Sequence, residues 1–448
     1  MPMLILREQP SIWMRLSTNR KAGISSQVSG VRLRAKSRKF FLLAASCLLL
    51  SVCLLGMSSS PKAAVWIKKL KDSRYELMVE GKPYVVKGVC YNPIPIGEKH
   101  DYDWWSDPNK PWLVDGKLMQ DMGVNTVRIY QAGTNPESVK KVISDLYSSY
   151  GIRTMMGHWL GFWEYPCPLY GTKEFHERIK KEILEMVKAY KDEPGILLWI
   201  LGNENNYSCF GQVNPWSTDE VDKETDPLKQ KLMRAKIYYS FVNELAQEIH
   251  KIDPNHPVAL GNGELIGLEA AKEVCPDIDL IACIIYRGRS FGNSFNSLKT
   301  IFDRPVLISE FGADSYDAYL DREDQNMQAF FLESQWRQIY QNLASTKGGA
   351  GNCIGGAMFE WSDEWWKHNE YDPEGWKIHD SGAGWSNPSY YFDIKAKDNK
   401  NMNEEWFGIV SLSEESAAGL NKRTPRKSYY IIKEFWKNPV LSKPPQKK

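Results

Sequence analysis

Two carboxylates in this sequence stand where apolar runs end. The stretch LLWILGNENN, residues 197–206, changes abruptly from apolar to polar and delivers Asn203 and Glu204. The stretch RPVLISEFG, residues 304–312, delivers Glu310 in the same way. A carboxylate at the end of a buried strand needs either solvent or a chemical task. Hydrolysis of an acetal with retention of configuration uses two carboxyl groups about 5–5.5 Å apart, one as nucleophile and one as acid and base.

These two roles require different surroundings. Arg128 and Tyr286, which end other apolar runs, could keep the nucleophile ionised by charge and hydrogen bonding. The acid/base must instead stay protonated near neutral pH, which a less polar site and the charge of its neighbour would achieve. Asn203 could hydrogen-bond a sugar 2-hydroxyl, a contact that strengthens in the transition state.

Further polar and aromatic residues end other apolar runs. Trp361 offers a floor for a sugar ring, and His158 and Trp159 are further candidates for substrate binding. His158 also has a structural interpretation, as a core histidine with satisfied hydrogen bonds. Glu264 and Glu360 stand at similar positions, and we interpret both as structural or peripheral.

Eight short apolar runs alternate with helical patterns and must position these residues. Such alternation indicates parallel strands with right-handed crossovers, and eight units in about 300 residues predict an α/β fold of the (β/α)8 TIM-barrel type. A barrel gathers the carboxyl ends of all its strands at one face, which the rival doubly wound sheet would not explain. The predicted strands are 83–93, 124–131, 152–160, 195–205, 256–262, 279–288, 304–312 and 353–363.

Helical periodicity and turn residues define the remaining elements. A hairpin through Glu80 and Gly81 is expected to cap the barrel floor. The segment after residue 363 has no strong period before a closing helix. The predicted helices are 136–151, 172–194, 230–254, 325–345 and 428–437.

Charge is unevenly placed along the chain. Residues 1–39 carry nine Lys or Arg against one Glu, a net charge of +8, whereas all 448 residues together carry +2. The rest of the chain is therefore mildly acidic, which argues against a nucleic-acid partner. A composition of 42% hydrophobic and 25% charged residues is typical of a globular protein.

An uncharged apolar run, residues 40–57, follows the basic segment. This order is typical of a signal peptide or a signal anchor, and the basic flank would direct the body across the membrane. We therefore expect an exported protein, periplasmic, at the cell surface or secreted, anchored in the membrane if the run is retained. The predicted domains are a leader at 1–64, a single catalytic barrel at 65–440 and a basic tail at 441–448.

Six cysteines lie in the body, and none has the spacing of a metal site. Cys167 and Cys209 fall in loops after neighbouring predicted strands, so a disulfide between them is an open expectation. No metal or organic cofactor is implied. Arg287 and Arg289 could read an acidic sugar, but we interpret them as part of a solvated loop.

The order of these motifs resembles clan A of the retaining glycoside hydrolases. GNEN closes the fourth predicted strand and SEFG the seventh, with Arg128, Tyr286 and Trp361 at the matching strands. The barrel of glycoside hydrolase family two is similar at GNEN and at the Trp-Ser-Asp of 361–363. The β-1,3-glucanosyltransferases are similar at GVCYNP, at GVNTVRIYQ and at GGAMFEWSDEWW followed by EEWFGIV.

The resemblance implies roles for individual residues. It makes Glu204 the acid/base and Glu310 the nucleophile, and His158 matches a frequent histidine on the third strand of the clan. Asn203, Arg128, Tyr286 and Trp361 resemble its supporting residues. Three functions remain open: a retaining β-glycoside hydrolase, a β-glucan transglycosylase with the same catalytic pair, and a non-catalytic carbohydrate-binding barrel. The sequence leaves the sugar, the linkage and the oligomeric state undetermined.

Overall fold

The computed structural model describes residues 65–367, 372–381 and 402–439, which belong to one compact unit. The strands are β1 (Val65–Lys69), β2 (Tyr75–Val79), β3 (Lys82–Tyr84), β4 (Val86–Cys90), β5 (Thr126–Ile129), β6 (Arg153–His158), β7 (Ile196–Leu201), β8 (Val258–Gly263), β9 (Leu280–Ile284), β10 (Val306–Gly312), β11 (Tyr316–Asp317), β12 (Arg322–Glu323), β13 (Cys353–Phe359), β14 (Val410–Ala417) and β15 (Leu420–Pro425). The helices are α1 (Pro111–Met122), α2 (Pro136–Tyr150), α3 (Lys173–Tyr190), α4 (Asn206–Cys209), α5 (Asp219–Lys223), α6 (Pro227–Ile252), α7 (Leu268–Val274), α8 (Ser294–Ile301), α9 (Gln325–Gln341) and α10 (Lys427–Lys437).

Eight parallel strands close into a barrel. Their order is β4, β5, β6, β7, β8, β9, β10 and β13, and β13 pairs with β4 to complete the ring. Helices follow the strands along the chain and pack around them. The prediction of a (β/α)8 barrel is therefore confirmed, and the doubly wound alternative is wrong because the sheet has no open edge. The predicted strands match the observed ones to within a few residues at their ends.

Side-chain alternation along each strand divides the core into two regions. Met155, Ile200 and Ala282 belong to a cluster inside the barrel, which residues from other strands complete. Met156 and Trp199, their neighbours in sequence, pack instead with the surrounding helices. This period of two decides which side chains at the strand ends can reach the barrel mouth.

A three-stranded antiparallel sheet of β1, β2 and β3 covers the amino-terminal end of the barrel. The amide of Val65 donates to the carbonyl of Asn255 just before β8, and that of Tyr75 donates to the carbonyl of Gly351 just before β13. Glu80 and Gly81 form the turn between β2 and β3 with positive φ angles of 51° and 79°. The predicted hairpin at the barrel floor is confirmed.

A hairpin of β14 and β15 precedes the closing helix α10, and the sequence periodicity did not predict it. Arg426, between the hairpin and the helix, donates to both carboxylate oxygens of buried Asp363 at 2.5 and 2.8 Å. The hydroxyl of Tyr429 on α10 donates to Asp121 at 2.9 Å. The carboxyl-terminal segment is thus fixed to the loop after β13 and to α1.

Several expectations fall partly or wholly outside the described residues. The leader at 1–64, its apolar run at 40–57 and the basic tail at 441–448 lie there. Across the described ranges, none of the helices combines the length and apolar character that a membrane crossing requires. Cys167 and Cys209 are both free thiols, so the structure does not contain the disulfide considered between them.

Candidate active site

Glu310 lies on β10 at the mouth of the barrel, with 8% of its surface exposed. Its Oε2 accepts hydrogen bonds from Nη1 of Arg128 at 2.8 Å and from the hydroxyl of Tyr130 at 2.5 Å. Its Oε1 accepts one from the hydroxyl of Tyr286 at 2.8 Å. Three donors from the ends of two strands, β5 and β9, therefore fix the orientation of this carboxylate.

The three donors keep the protons they need for this task. Burial raises the pKa of the phenols of Tyr130 and Tyr286 well above the ordinary value, and the nearby charge of Glu310 adds to the effect. Burial opposes the charge of Arg128, but Tyr130 and Glu310 outweigh it and raise the guanidinium pKa above its ordinary value. Charge-assisted hydrogen bonds of this kind are stronger than neutral ones.

Glu204 occupies the loop that follows β7. Gly202 and Glu204 both have positive φ, 80° and 61°. Such a backbone conformation is uncommon for a glutamate and costs on the order of 1–3 kcal/mol, which points to a functional constraint. Burial, followed by the negative charge of Glu310, raises the pKa of Glu204 from 4.5 to about 8. Its carboxyl group is therefore protonated at neutral pH and can donate a proton.

Asn203 is linked to Glu310 through Arg128. Nη2 of Arg128 donates to Oδ1 of Asn203, while Nη1 of the same guanidinium binds Glu310. Because Oδ1 of Asn203 accepts this bond, its amide NH2 is the group that can donate to a ligand. The structure brings Asn203, Glu310 and Arg128 together as predicted, and Glu204 adjoins them in sequence.

Asn205 and Asn206 stabilise the loop that carries Glu204, a role that the sequence did not predict. Oδ1 of Asn205 accepts from the amide of Asn203 at 2.5 Å, and its Nδ2 donates to the hydroxyl of Tyr170 at 2.6 Å. Asn206 bonds the backbone of Gly263 in both directions, at 2.8 and 3.0 Å. Asn206 heads an Asn-Tyr-Ser glycosylation sequence, but its side chain is buried and engaged.

Aromatic side chains line one side of the mouth. Tyr130, which sequence reasoning missed, stacks on the guanidinium of Arg128 with 4.4 Å between the guanidinium carbon and the ring centroid. The indole of Trp159 stacks on Tyr130, with ring centroids 5.2 Å apart and an interplanar angle of 11°. Trp159 therefore lies one ring away from the carboxylate of Glu310, as expected for a substrate-binding residue.

Two predicted binding residues lie elsewhere. His158 accepts a hydrogen bond at Nδ1 from the amide of Leu160 at 3.0 Å, and its Nε2 faces Glu182 of α3 at 3.7 Å. Burial, then Arg178, lowers the pKa of His158 to about 4, so the ring is neutral. Its predicted contact with substrate is wrong in this structure, because its side chain points toward the helices.

Trp361 is also turned away from the mouth. Its indole is 0% exposed and lies in the outer core, 6.5 Å from the ring of Tyr429 on α10. A fully buried ring offers no face to a sugar, so the predicted floor at Trp361 is wrong. Phe359, two residues earlier, lies in the inner cluster beside Tyr286, with ring centroids 6.4 Å apart.

A half-buried lysine and two glutamates form a second charged group near Phe359. Nζ of Lys367 lies 3.1 Å from Oε2 of Glu364, 3.0 Å from Oε2 of Glu404 and 5.5 Å from the ring centroid of Phe359. Burial opposes the charge of Lys367, but Glu364 and Glu404 raise its pKa well above the ordinary value. Burial raises the pKa of Glu364 to about 7 despite Lys367.

Glu264 and Glu360 are the remaining acidic residues at strand ends. Arg287 donates from Nε to Oε1 of Glu264 at 2.9 Å and from Nη1 to Ser294 at 2.7 Å. Arg287 thus forms an ion pair with Glu264 and is not part of the solvated loop that the sequence had suggested. Glu360 is buried, and burial with the charge of Glu364 raises its pKa well above the ordinary value. Among the side chains described, His, Cys, Asp and Glu form no group suited to hold a metal ion.

The fold and the site define a class of protein: a (β/α)8 barrel with two carboxyl groups, one hydrogen-bonded by three donors and one protonated, at its carboxyl-terminal mouth. No family model matches the chain. The 1,3-beta-glucanosyltransferase gel2 of Aspergillus fumigatus is 26% identical over 163 residues, which are 34% of this chain and 32% of that protein. A putative beta-glucuronidase of Formosa agariphila is 25% identical over 130 residues, 29% of this chain and 11% of that protein.

Solved structures share the fold over most of the chain. The beta-D-glucuronidase of Dictyoglomus thermophilum superposes with a TM-score of 0.53 at 13% identity, covering 84% of this chain and 54% of that chain. A GH2 beta-galacturonidase from Eisenbergiella tayi, bound to galacturonate, gives 0.50 at 16% identity, covering 84% and 55%. The chain thus spans about half the length of these structures. The comparisons support a barrel of the glycoside hydrolase or glucanosyltransferase type.

Proposed function

We propose that the protein is a retaining β-glycosidase that acts on a β-linked glycan. The carboxylate of Glu310 attacks the anomeric carbon, and the bond from that carbon to the leaving oxygen breaks as Glu204 gives that oxygen its proton. The ionised Glu204 then takes a proton from water, whose oxygen attacks the same carbon and releases Glu310. Asn203 hydrogen-bonds the sugar, and Arg128, Tyr130 and Tyr286 orient the nucleophile.

One observation carries this proposal: two glutamates at the same mouth have opposite environments. Glu310 accepts three hydrogen bonds, one of them from a guanidinium. Glu204 is half-buried, and burial, followed by the charge of Glu310, raises its pKa to about 8. Such a division of two carboxyl groups into nucleophile and acid is what double displacement at an anomeric carbon requires. A non-catalytic sugar-binding barrel would have no need for it.

A transglycosylase with the same catalytic pair is the second candidate. The similarity to the glucanosyltransferase gel2 favours it, and so does 38% identity over 79 residues to the 1,3-beta-glucanosyltransferase GAS4 of Saccharomyces cerevisiae, 17% of this chain and 16% of that protein. In this reaction a sugar hydroxyl replaces water in the second step. Incubation with a defined β-glucan oligosaccharide separates the two functions, because products longer than the substrate arise only by transfer.

The charges around the mouth favour a neutral sugar over an acidic one. Arg128 is engaged by Glu310, and the ammonium of Lys367 is engaged by both Glu364 and Glu404. A sugar carboxylate would therefore meet a surplus of like charge among the described side chains, which costs free energy. We propose a glucan- or mannan-like substrate, although several proteins of similar fold act on uronides.

A substrate screen tests the proposal. Purified protein is assayed on β-linked glucan, mannan and galactan and on matched aryl β-glucoside and β-glucuronide, with Glu310→Gln as the inactive control. We expect turnover of a neutral substrate that the control lacks, and a higher kcat/KM for the glucoside than for the glucuronide. Glucuronide as the better substrate would overturn the neutral-sugar proposal alone. If wild type and Glu310→Gln showed the same turnover on every substrate, the result would instead favour a non-catalytic barrel.

The cellular location of the protein is a separate proposal. The basic segment at 1–39 followed by the apolar run at 40–57 supports export of the barrel across a membrane. Fractionation of cells that express the full chain tests it, since an exported barrel is accessible to protease added outside the cytoplasmic membrane.

A further inference from the structure

The loop after β6 exposes two large aromatic side chains beside the mouth. Trp163 is 62% exposed and Tyr165 is 71% exposed, whereas nearby Phe162 and Tyr170 are buried. Isolated exposed apolar residues are common, but an exposed indole next to a catalytic mouth is a candidate binding surface.

This loop is held in place on several sides. Both carboxylate oxygens of Glu164 accept hydrogen bonds from Nη2 of Arg178 on α3 at 2.7 Å. The carbonyl of Phe162 accepts a hydrogen bond from Nδ2 of Asn214 at 2.8 Å, and Asn205 of the catalytic loop donates to the carbonyl of Trp159 at 2.9 Å. The loop is therefore held in place by hydrogen bonds, and the side chain of Trp163 is exposed although the backbone around it is well anchored.

The exposed indole continues a row of rings that begins at the nucleophile. The hydroxyl of Tyr130 binds Glu310, Trp159 stacks on Tyr130, and the ring centroid of Trp163 lies 6.1 Å from that of Trp159 at an interplanar angle of 69°. A glycan whose scissile bond lies at Glu310 and Glu204 can thus extend along an aromatic surface toward solvent. The C–H faces of neutral sugars pack well on such rings, which are rigid and lose little conformational entropy on binding.

We propose that Trp163, together with Trp159, binds a sugar residue of the glycan chain at least one residue away from the cleaved bond. The ligand is a polymeric or oligomeric neutral β-glycan, not a second protein, because the surface is continuous with the catalytic mouth. This proposal rests on the proposed function and adds to it that affinity increases with chain length.

The test compares binding of short and long glycans without turnover. Dissociation constants are measured calorimetrically for disaccharides and hexasaccharides of β-1,3-glucan, β-1,4-glucan and β-1,4-mannan, with the full chain carrying Glu310→Gln. Trp163→Ala is added to this protein, with Trp163→Phe as the conservative variant. Tyr430→Ala is the matched control, because this tyrosine of α10 is 57% exposed and lies outside the mouth.

We expect at least one hexasaccharide to bind more tightly than its disaccharide, and Trp163→Ala to reduce that gain about 5- to 10-fold, the effect of losing one aromatic contact. Trp163→Phe should retain most of the gain and Tyr430→Ala all of it. A gain unchanged in Trp163→Ala, or the absence of any gain before this substitution, would overturn the proposal. Binding that depends on chain length, combined with no turnover by the wild type, would refute the proposed chemistry and support the binding surface.

Discussion

Replacing Glu204 by glutamine is expected to stabilise the folded protein at neutral and alkaline pH while removing its proton donor. The pKa of Glu204 is raised from 4.5 to about 8 on folding, first by burial and then by Glu310. Between these two values the folded protein holds a proton that the unfolded chain has released. Stability therefore falls as pH rises through this window, since the unfolded state binds fewer protons than the native state.

The magnitude follows from proton linkage. Each pH unit within the window lowers the free energy of unfolding by about 1.4 kcal/mol, which gives about 3 kcal/mol between pH 4.5 and pH 7 as an upper value. Glu204 is partly accessible, and solvent screening reduces this to about 2 kcal/mol. Glutamine has nearly the same size but does not titrate. The free energy of unfolding of Glu204→Gln should therefore not decrease with pH in this way. For a domain of this size the midpoint of thermal unfolding should rise by about 2–4 °C at pH 7.

Thermal unfolding of wild type and Glu204→Gln at pH 5 and pH 8 measures the effect. We expect nearly equal midpoints at pH 5 and a clearly higher midpoint for the variant at pH 8. Glu185→Gln, at an exposed position on α3, is the matched control and should show no such divergence. A difference between Glu204→Gln and wild type that is the same at both pH values would refute the assignment of Glu204 as a protonated acid.

Three further predictions concern catalysis and packing. Hydrolysis of glycans with poor leaving groups should fall as pH rises through about 8, because Glu204 then loses the proton it donates; a pH–rate profile that stays flat to pH 9.5 would contradict this. Tyr130→Phe, which removes one hydrogen bond to Glu310, should lower kcat about 10- to 100-fold, and steady-state kinetics showing an unchanged kcat would exclude a role for Tyr130 in catalysis. Trp361→Ala should lower the free energy of unfolding by about 3–5 kcal/mol in urea denaturation, whereas a change in KM without loss of stability would restore Trp361 as a sugar-binding residue.

The sequence predicted the barrel and much of the site because both follow from local patterns. An apolar run that ends in polar residues specifies a buried parallel strand and the face to which its end belongs. Tyr130 could have been found in the same way, since it stands two residues after Arg128 and therefore points to the same side of the strand. By the same alternation, His158 points to the same side of β6 as Met156, which is outside the barrel. The structure places both side chains there.

Other features of the site have no local signature. Trp361 lies beyond the end of β13, where strand alternation no longer applies, so its direction depends on the packing of α10. Lys367 and Glu404 are far apart in sequence, and only the tertiary fold brings them together. The β14–β15 hairpin has a largely exposed, polar sequence whose strands lack a strong apolar period.

Chain position also explains why the two glutamates behave differently. Glu310 lies within a strand, and its side chain points to the side where Arg128, Tyr130 and Tyr286 converge, so it receives their hydrogen bonds. Glu204 lies beyond its strand, on a residue with positive φ, and is held there by the Asn205 contacts of its loop. Arg128 binds Glu310 and Asn203 directly and lowers the pKa of Glu204 less than burial and Glu310 raise it. One guanidinium thus orients the nucleophile while leaving the acid protonated, and any substitution that turned Arg128 toward Glu204 would weaken both roles together.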